Sequence, residues 1–482
     1  MMDIAKSSLK VFIARVCNSL ASFAAVVIFS RELGASPLGT YYPFIAFLSI
    51  MAIPANFGIS YAAEKRISEG EDASQYLATA IIMKIPPLIF IAAAILLFGG
   101  YVNQFLGADL AVPLVLTLFI SQAGKFSIKI LRGELRVGET AFVEALRPLG
   151  WLSMGYLLYL QGMGVYALVY GYLFGSLLMV IVGWWRVSTT IGRPTMKHAR
   201  SLLDYGQFNM ISSVGGSFYS WMDVLILTAY VTIGIASSRV EIGAYENAWR
   251  LSLVVMMLTQ SISVSIFPQM SQWDADGEVD RIESLIPKAL LPGLLVVIPA
   301  FAGISVLSRD LLGVLFGAEF TVAWIALIIL AGEKILQSMH SIFGRVLWAI
   351  DRPAIAAYAM VITMAINLVG NIILIWQFGI VGAALATTMA SAVLLILQVA
   401  YLRRFVAISF PVQEVGWAAA ASGFMAFCIY AVRSAIEVNS IVDLLSIVLF
   451  GGLIYSVVLF SYTPVRESAQ KVLPHTLSQY VP

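Results

Sequence analysis

About fourteen apolar stretches, each close to the length that crosses a bilayer as a helix, follow one another along this 482-residue chain. A span needs roughly 20 mostly apolar residues. No water is present in the hydrocarbon core, so backbone polar groups there must be satisfied within the segment itself, and such runs cross as helices. The stretches lie near 9–30, 41–63, 77–99, 110–130, 140–160, 165–186, 206–232, 243–270, 286–307, 321–349, 354–376, 380–402, 414–435 and 440–461. Composition agrees. Hydrophobic residues make up 60% and charged residues 12%, against about 45–50% and 25% in soluble proteins. The expected fold class is therefore an all-α polytopic membrane protein, with connectors too short for an added soluble domain. The longest runs from Arg186 to Tyr205.

Charge placement orients the bundle. With the N-terminus inside, the inner connectors hold Lys6, Lys10, Lys65, Arg66, Lys129, Arg132, Arg136, Arg193, Lys197, Arg200, Arg281, Arg352, Arg403, Arg404, Arg466 and Lys471. The outer ones hold only Arg31, Arg239, Arg309 and Arg433. Sixteen against four follows the positive-inside rule, and one missed span would scramble it from that point on. Both termini are expected in the cytoplasm. Lys6 and Lys10 precede an apolar run, as in a signal peptide, but the run carries Arg15 and no small-residue cleavage pattern follows, so it reads as an uncleaved first span.

The chain also resembles itself. Gly39-Thr40-Tyr41 matches Gly243-Ala244-Tyr245, Ser127-Ile128 matches Ser341-Ile342, and Gly162 to Arg186 matches Phe378 to Arg404. Taken as a repeat, spans one to six (1–200) and seven to twelve (201–405) are two parallel lobes, and 406–482 adds a pair of spans and a tail. Transporters built from repeats bind substrate near the midplane between them.

Ionisable residues inside spans are costly and usually face a bundle interior or a wet cavity. Here they are Arg15, Lys84, Lys125, Glu144, Arg147, Asp223, Glu246, Arg250, Lys288, Glu333, Lys334, His340 and Arg345. Arg15, Asn18, Ser19 and Ser22 form one helical stripe; Asn209, Ser213, Ser217, Ser220 and Asp223 form another; Glu333, Gln337, His340 and Gly344 a third. Glu144 with Arg147, and Glu246 with Arg250, stand at pair spacing and could simply neutralise one another. Lys84, Lys288 and Arg345 lie near span ends and could snorkel to headgroups. Polar stripes also serve ordinary helix packing in lipid. Even so, cations outnumber acids. A positive lining attracts phosphate and repels drug-like cations. The expected substrate-binding set is Arg15, Asn18, Lys84, Lys125, Arg147, Arg250, Lys334 and Arg345, with Asp223, Glu333 and Glu144 as ion-coupling candidates.

Several chemistries find no support. No Walker-type phosphate loop is present, which argues against direct ATP use. The acidic run Asp274, Asp276, Glu278, Asp280 puts Val279 and Leu285 where a calcium loop needs Gly and Glu. Cys17 and Cys428 sit in apolar runs without a disulfide or zinc pattern. A net charge of +2 offers nothing to nucleic acid. No catalytic constellation, metal site or cofactor is expected.

The segment Arg31-Glu32-Leu33-Gly34-Ala35-Ser36-Pro37-Leu38-Gly39-Thr40-Tyr41, followed by Asn56-Phe57-Gly58-Ile59 and Lys65-Arg66, resembles the start of polysaccharide-transport proteins. These are the oligosaccharide-lipid flippases of the multidrug/oligosaccharidyl-lipid/polysaccharide exporter superfamily. That family has an acidic residue before the Phe-Gly or Leu-Gly step, where this chain has Asn56. The resemblance implies two six-helix lobes in a MATE-like V, with helices one, two, seven and eight lining a central cavity. It implies a polyprenyl- or dolichyl-linked oligosaccharide as substrate, moved from the inner to the outer leaflet of the plasma membrane. It also implies cavity cations meeting the (di)phosphate, with Arg15 and Arg250 first among them. Expected partners are that lipid-linked substrate, membrane lipids, and glycan-assembly glycosyltransferases or a polymerase, around a monomer. The rivals are a cation-coupled multidrug exporter of the same superfamily, which would have an acid-dominated cavity, and a membrane-embedded polymerase or glycosyltransferase, which would present a long outer loop.

Overall fold

The computed structural model describes the backbone of residues 2–235 and 238–466, and side chains from residue 18 onward except 208–219, Val264, Ser265 and Pro268. Among the described residues there is no strand. The helices are α1 (Met2–Leu33), α2 (Ala35–Asn56), α3 (Ile59–Ser68), α4 (Ala73–Leu97), α5 (Gly99–Leu106), α6 (Ala111–Gly133), α7 (Val137–Leu160), α8 (Val165–Arg186), α9 (Met196–Thr232), α10 (Arg239–Val254), α11 (Met257–Ala275), α12 (Val279–Phe316), α13 (Trp324–Ala349), α14 (Pro353–Leu402), α15 (Val412–Ala435) and α16 (Ile441–Phe460), with a 3₁₀ turn at Ala318–Ala323. Each stretch read as a span falls almost wholly within helix, and eight of the described helices are long and apolar enough to cross a membrane on those criteria alone. This is a multi-pass membrane protein.

Two helical stretches are interrupted where the backbone turns left-handed. Phe57 (φ 45) and Gly58 (φ 70) separate α2 from α3. A Cβ on Gly58 would lie 2.0 Å from the Gly206 carbonyl oxygen, so α9 passes too close there for any side chain. In α14, Gly379 leaves helical geometry (φ 55, ψ −133), which divides 354–376 from 380–402 as the sequence reading expects. The seventh span was expected to begin at 206, but α9 starts ten residues earlier. Thr195 caps it by accepting from the His198 N–H, which supplies one of the orphan donors of the first turn.

Contacts divide the chain into two compact units, Met1–Gly243 and Ala244–Pro482, meeting inside α10. In the first, α6 packs on α3 and α8, and α7 crosses α8. Its core joins Ile59, Ala62, Leu77, Ala80, Phe126 and Ile130. The α7–α8 crossing is tight because a Cβ on Gly175 would sit 2.2 Å from the Arg147 carbonyl oxygen. Small residues let helix backbones approach in lipid, where dispersion replaces the hydrophobic drive. In the second unit, α12 packs on α11 and α13 around Ile282, Ile286, Ile342, Phe343, Val346 and Leu347. The final pair, α15 and α16, packs against α12. Tyr455 donates to the Leu295 carbonyl at 2.8 Å, and Arg433 pairs with Asp310 at 2.5 Å.

Candidate functional site

Within the first unit, α2, α6 and α7 enclose a cavity of about 740 Å³, reached also by Asn18 of α1 and Ser220 and Trp221 of α9. Ligand sites commonly measure about 300–1,000 Å³. One wall is a face of α6 bearing Gln122, Lys125, Lys129 and Arg132. These positions recur at three- and four-residue intervals, so they stack on one side of the helix. Arg147 and Glu144 of α7 line the cavity as well, and Asn56 and Ser60 at the α2–α3 break form its floor.

The charges divide into paired and unpaired. Lys129 binds Glu64 at 2.7 Å and lies 3.5 Å from the centre of the Tyr61 ring. Arg132 binds Glu144 at 2.7 Å. Among the described residues no acid meets Lys125 or Arg147. Lys125 is open to the cavity, and Arg147 lies over the Tyr172 ring at 5.6 Å. The Arg147 backbone is pinned by the Gly175 crossing, which fixes the root of its side chain. The Asn18 Oδ1 is buried without a partner beside the same space. The cavity thus keeps two cations that meet no acid among the described residues, with the polar side chains of Asn18 and Gln122 beside them.

The other sequence candidates are distributed as follows. Lys84 is 5% exposed and sits behind the floor, held by Asn56, Ser60 and Gln122. Asp223 is buried and engaged by a partner, and it is not among the cavity-lining residues. The side chains of Arg15 and of the stripe members Asn209, Ser213 and Ser217, and the tail residue Lys471, lie outside the described residues. In the second unit Arg250 pairs with Glu246 at 2.8 Å, as the spacing suggested. Lys334 and Glu333 are both buried and joined at 2.6 Å, and Ser391 donates to the same carboxylate at 2.6 Å. Arg345 is exposed and, with Gln260, Ser263 and Ser341, lines a separate cavity of about 300 Å³. Lys288 is exposed, which fits the snorkelling reading. Among the described residues no three of His, Cys, Asp and Glu gather as a metal cluster.

By sequence, Lys129 and Arg132 belong to an expected inner connector and fall outside the expected binding set. The signal was present: 122, 125, 129 and 132 share a helical face, but a span ended at 130 cut the pattern short. The structure carries α6 to Gly133. The pairing of Glu144 also differs. Its partner is Arg132 rather than Arg147, which leaves Arg147 against the Tyr172 ring and without an acidic partner among the described residues.

Residues 28–325 match the family described as polysaccharide biosynthesis protein. A probable low-salt glycan biosynthesis flippase, Agl15, of Haloferax volcanii is 44% identical, covering 98% of this chain and 99% of that one. A probable flippase of the same organism, AglR, is 27% identical over 99% of this chain and all of its own length. Among solved structures, the lipid II flippase MurJ in an inward closed conformation superposes with a TM-score of 0.78 at 19% identity, covering 93% of this chain and 97% of that one. The fold is thus the one that MurJ shares. The chain belongs to the polysaccharide biosynthesis protein family, within the polysaccharide-transport branch of the multidrug/oligosaccharidyl-lipid/polysaccharide exporter superfamily.

Proposed function

We propose that this protein flips a polyprenyl- or dolichyl-(di)phosphate-linked oligosaccharide from the inner to the outer leaflet of the plasma membrane, with both termini cytoplasmic, for assembly of a surface glycan. The observation that carries the reading is the pair of cations, Lys125 and Arg147, which meet no acid among the described residues and line a cavity large enough for a phosphorylated sugar headgroup. An isolated cation in a membrane span is expensive, and a ligand that completes it recovers the charge-assisted bonds the protein leaves unmade. The description of the 44% identical relative as a glycan biosynthesis flippase supports the same chemistry. An acid-lined cavity would have favoured a drug exporter, and this wall is net positive.

In this mechanism the diphosphate oxygens meet Lys125 and Arg147, the Asn18 and Gln122 side chains meet sugar hydroxyls, and the isoprenoid tail stays in lipid. Alternating access then exposes the headgroup outside. An inside-negative potential drives expulsion of the anion. Two charges moved across 100 mV correspond to about 4–5 kcal/mol. An ion gradient acting on Asp223 is the competing energy source. The test is a liposome assay that reads headgroup exposure with and without an imposed potential. Transport that rises with an inside-negative potential is expected, and a flat response removes the potential-driven step. Loss of all headgroup exposure activity in the wild type would remove the flippase reading itself.

A further inference from the structure

Lys84 is the most buried cation beside the cavity and the mechanism above makes no use of it. Its Nζ lies 2.8 Å from the Asn56 Oδ1, 2.7 Å from the Ser60 Oγ and 3.4 Å from the Gln122 Oε1. It also stands 4.8 Å from the centre of the Phe126 ring. Among the described residues no carboxylate touches it. The Ser60 hydroxyl donates its own hydrogen to Asn56 at 2.5 Å, so toward Lys84 it can only accept. All three bonds are therefore donated by Nζ. A neutral amine has two hydrogens to give and an ammonium has three, so this cage is built for the charged form. Asn56, Ser60 and Gln122 all line the cavity, whereas Lys84 does not. The ammonium has no hydrogen left for a ligand. It acts from behind, through the three side chains it orients and through its field.

We propose that Lys84 is a positioning residue whose uncompensated charge, preserved because position 56 is an amide rather than a carboxylate, sets the anion selectivity of the first-unit cavity. The inference rests on the flippase reading, because it assigns this network a part in recognising the same (di)phosphate. Asn56 is isosteric with Asp. An Asp at 56 would keep the hydrogen bond to Lys84, convert it to a buried ion pair, and cancel one positive charge directly behind the site. The described charges that line the cavity or stand directly behind it, Lys84, Lys125, Lys129, Arg132 and Arg147 against Glu64 and Glu144, would fall from a surplus of three to two. A single uncompensated charge in a low-dielectric wall is felt strongly at a nearby anion.

The experiment uses the purified full-length protein in detergent micelles, with geranylgeranyl diphosphate and inorganic pyrophosphate as anionic probes and geranylgeraniol as the neutral one. Binding is titrated at several salt concentrations for the wild type, Asn56→Asp, Asn56→Ser, Lys84→Gln and Arg147→Ala, and thermal unfolding is recorded for each. Asn56→Asp is expected to weaken both diphosphates by about tenfold and to flatten their salt dependence, while its melting temperature holds or rises. Asn56→Ser, which keeps a neutral acceptor, is expected to weaken both diphosphates less than Asn56→Asp and to leave their salt dependence steep. Lys84→Gln is expected to match Asn56→Asp in affinity but to melt earlier. A purely structural network would move affinity and melting together, so a fall in both for Asn56→Asp overturns the proposal. So does unchanged affinity in Asn56→Asp while Arg147→Ala binds weakly. The parent reading fails separately, and takes this one with it, if the wild type binds no diphosphate or if Arg147→Ala binds as well as the wild type. Geranylgeraniol binding as tightly as its diphosphate would overturn both.

Discussion

The two units treat buried charge in opposite ways. Aligning Ser127 with Ser341 sets the face of α6 against that of α13, and Lys125, Lys129 and Arg132 fall opposite Met339, Phe343 and Val346. Phe343 and Val346 are fully buried core residues. The same helix face is a charged wall in the first unit and a greasy contact in the second. The offset of Gly39 to Gly243 pairs Asn56 with Gln260 and Lys84 with Lys288, yet Lys84 is buried in a polar cage and Lys288 is exposed. The second unit's deepest charges, Glu333 and Lys334, cancel each other. The first unit keeps Lys125 and Arg147 beside a cavity with no acid on them among the described residues, and the second joins its deepest charges, Glu333 and Lys334, to each other. Mutations should therefore strike ligand affinity in one unit and folding in the other.

The largest effect should come from the closed pair. Removing one partner of a buried ion pair leaves the other uncompensated, at a cost of about 3–5 kcal/mol. Glu333→Gln is thus expected to lower the melting temperature of the purified protein steeply. A melting curve that overlays the wild type would mean the pair is not neutralising itself, and the contrast between the units would collapse. Next in size is the open pair. Losing a charge-assisted bond to a ligand is worth about 1.5–3 kcal/mol, so Arg147→Ala and Lys125→Ala should each weaken diphosphate binding by about ten- to a hundredfold with little change in melting. Arg345→Ala in the smaller cavity of the second unit should shift the same titration far less. An equal loss from Arg345→Ala would place the anion in both units.

Lys84 and Lys288 sharpen the comparison at one pair of aligned positions. Lys84→Ala strands three acceptors near the cavity floor, a cost of about 1–3 kcal/mol. Lys288→Ala touches an exposed side chain and should stay within about 0.5 kcal/mol. Chemical or thermal denaturation of the two variants reads the difference. Equal destabilisation would show that the burial contrast has no energetic content.

Much of this was legible beforehand because bilayer physics leaves so few options. Long apolar runs must be helices, and the break between 376 and 380 was visible as a Gly-containing turn and is observed at Gly379. Single intramembrane cations such as Lys84, Lys125 and Arg147 stand out against an apolar background for the same reason. Partner choice was not legible. Glu144 prefers Arg132 over Arg147, three residues away on its own helix, because α6 and α7 pack and α7 is pinned to α8. Glu333 and Lys334 are sequence neighbours, whose side chains on a helix do not face each other, so spacing rules gave no hint of a pair that the structure closes at 2.6 Å. Helix length also misled. A span rule trimmed α6 before Arg132, and the charged face lost its last member.

The smallest contrast lies at two connectors, where Glu134 clamps the chain that follows α8 and Glu283 the chain that follows α14. Glu134 accepts from the Ser188 N–H at 2.9 Å, the Thr189 N–H at 2.7 Å and the Thr189 hydroxyl at 2.8 Å. Glu283 accepts only from the Ala407 N–H, at 2.6 Å, among the described residues. Partial burial pushes the Glu134 pKa up, but the bonds from Thr189 and Ser188 outweigh it and hold the carboxyl below its ordinary value. A group with a depressed folded pKa contributes stability that is present above its unfolded value, near 4.5, and is lost as the pH falls through the folded one. Amide hydrogen exchange at 188–189 should therefore stay slow at neutral pH and quicken only in strong acid. Glu134→Gln should speed it already at pH 7, by more than Glu283→Gln speeds exchange at 407, because three bonds hold 188–189 to the first carboxylate and one holds 407 to the second. Equal responses at the two connectors would mean that the first unit's clamp draws nothing from its extra bonds, and that the asymmetry between the units is confined to the cavity walls.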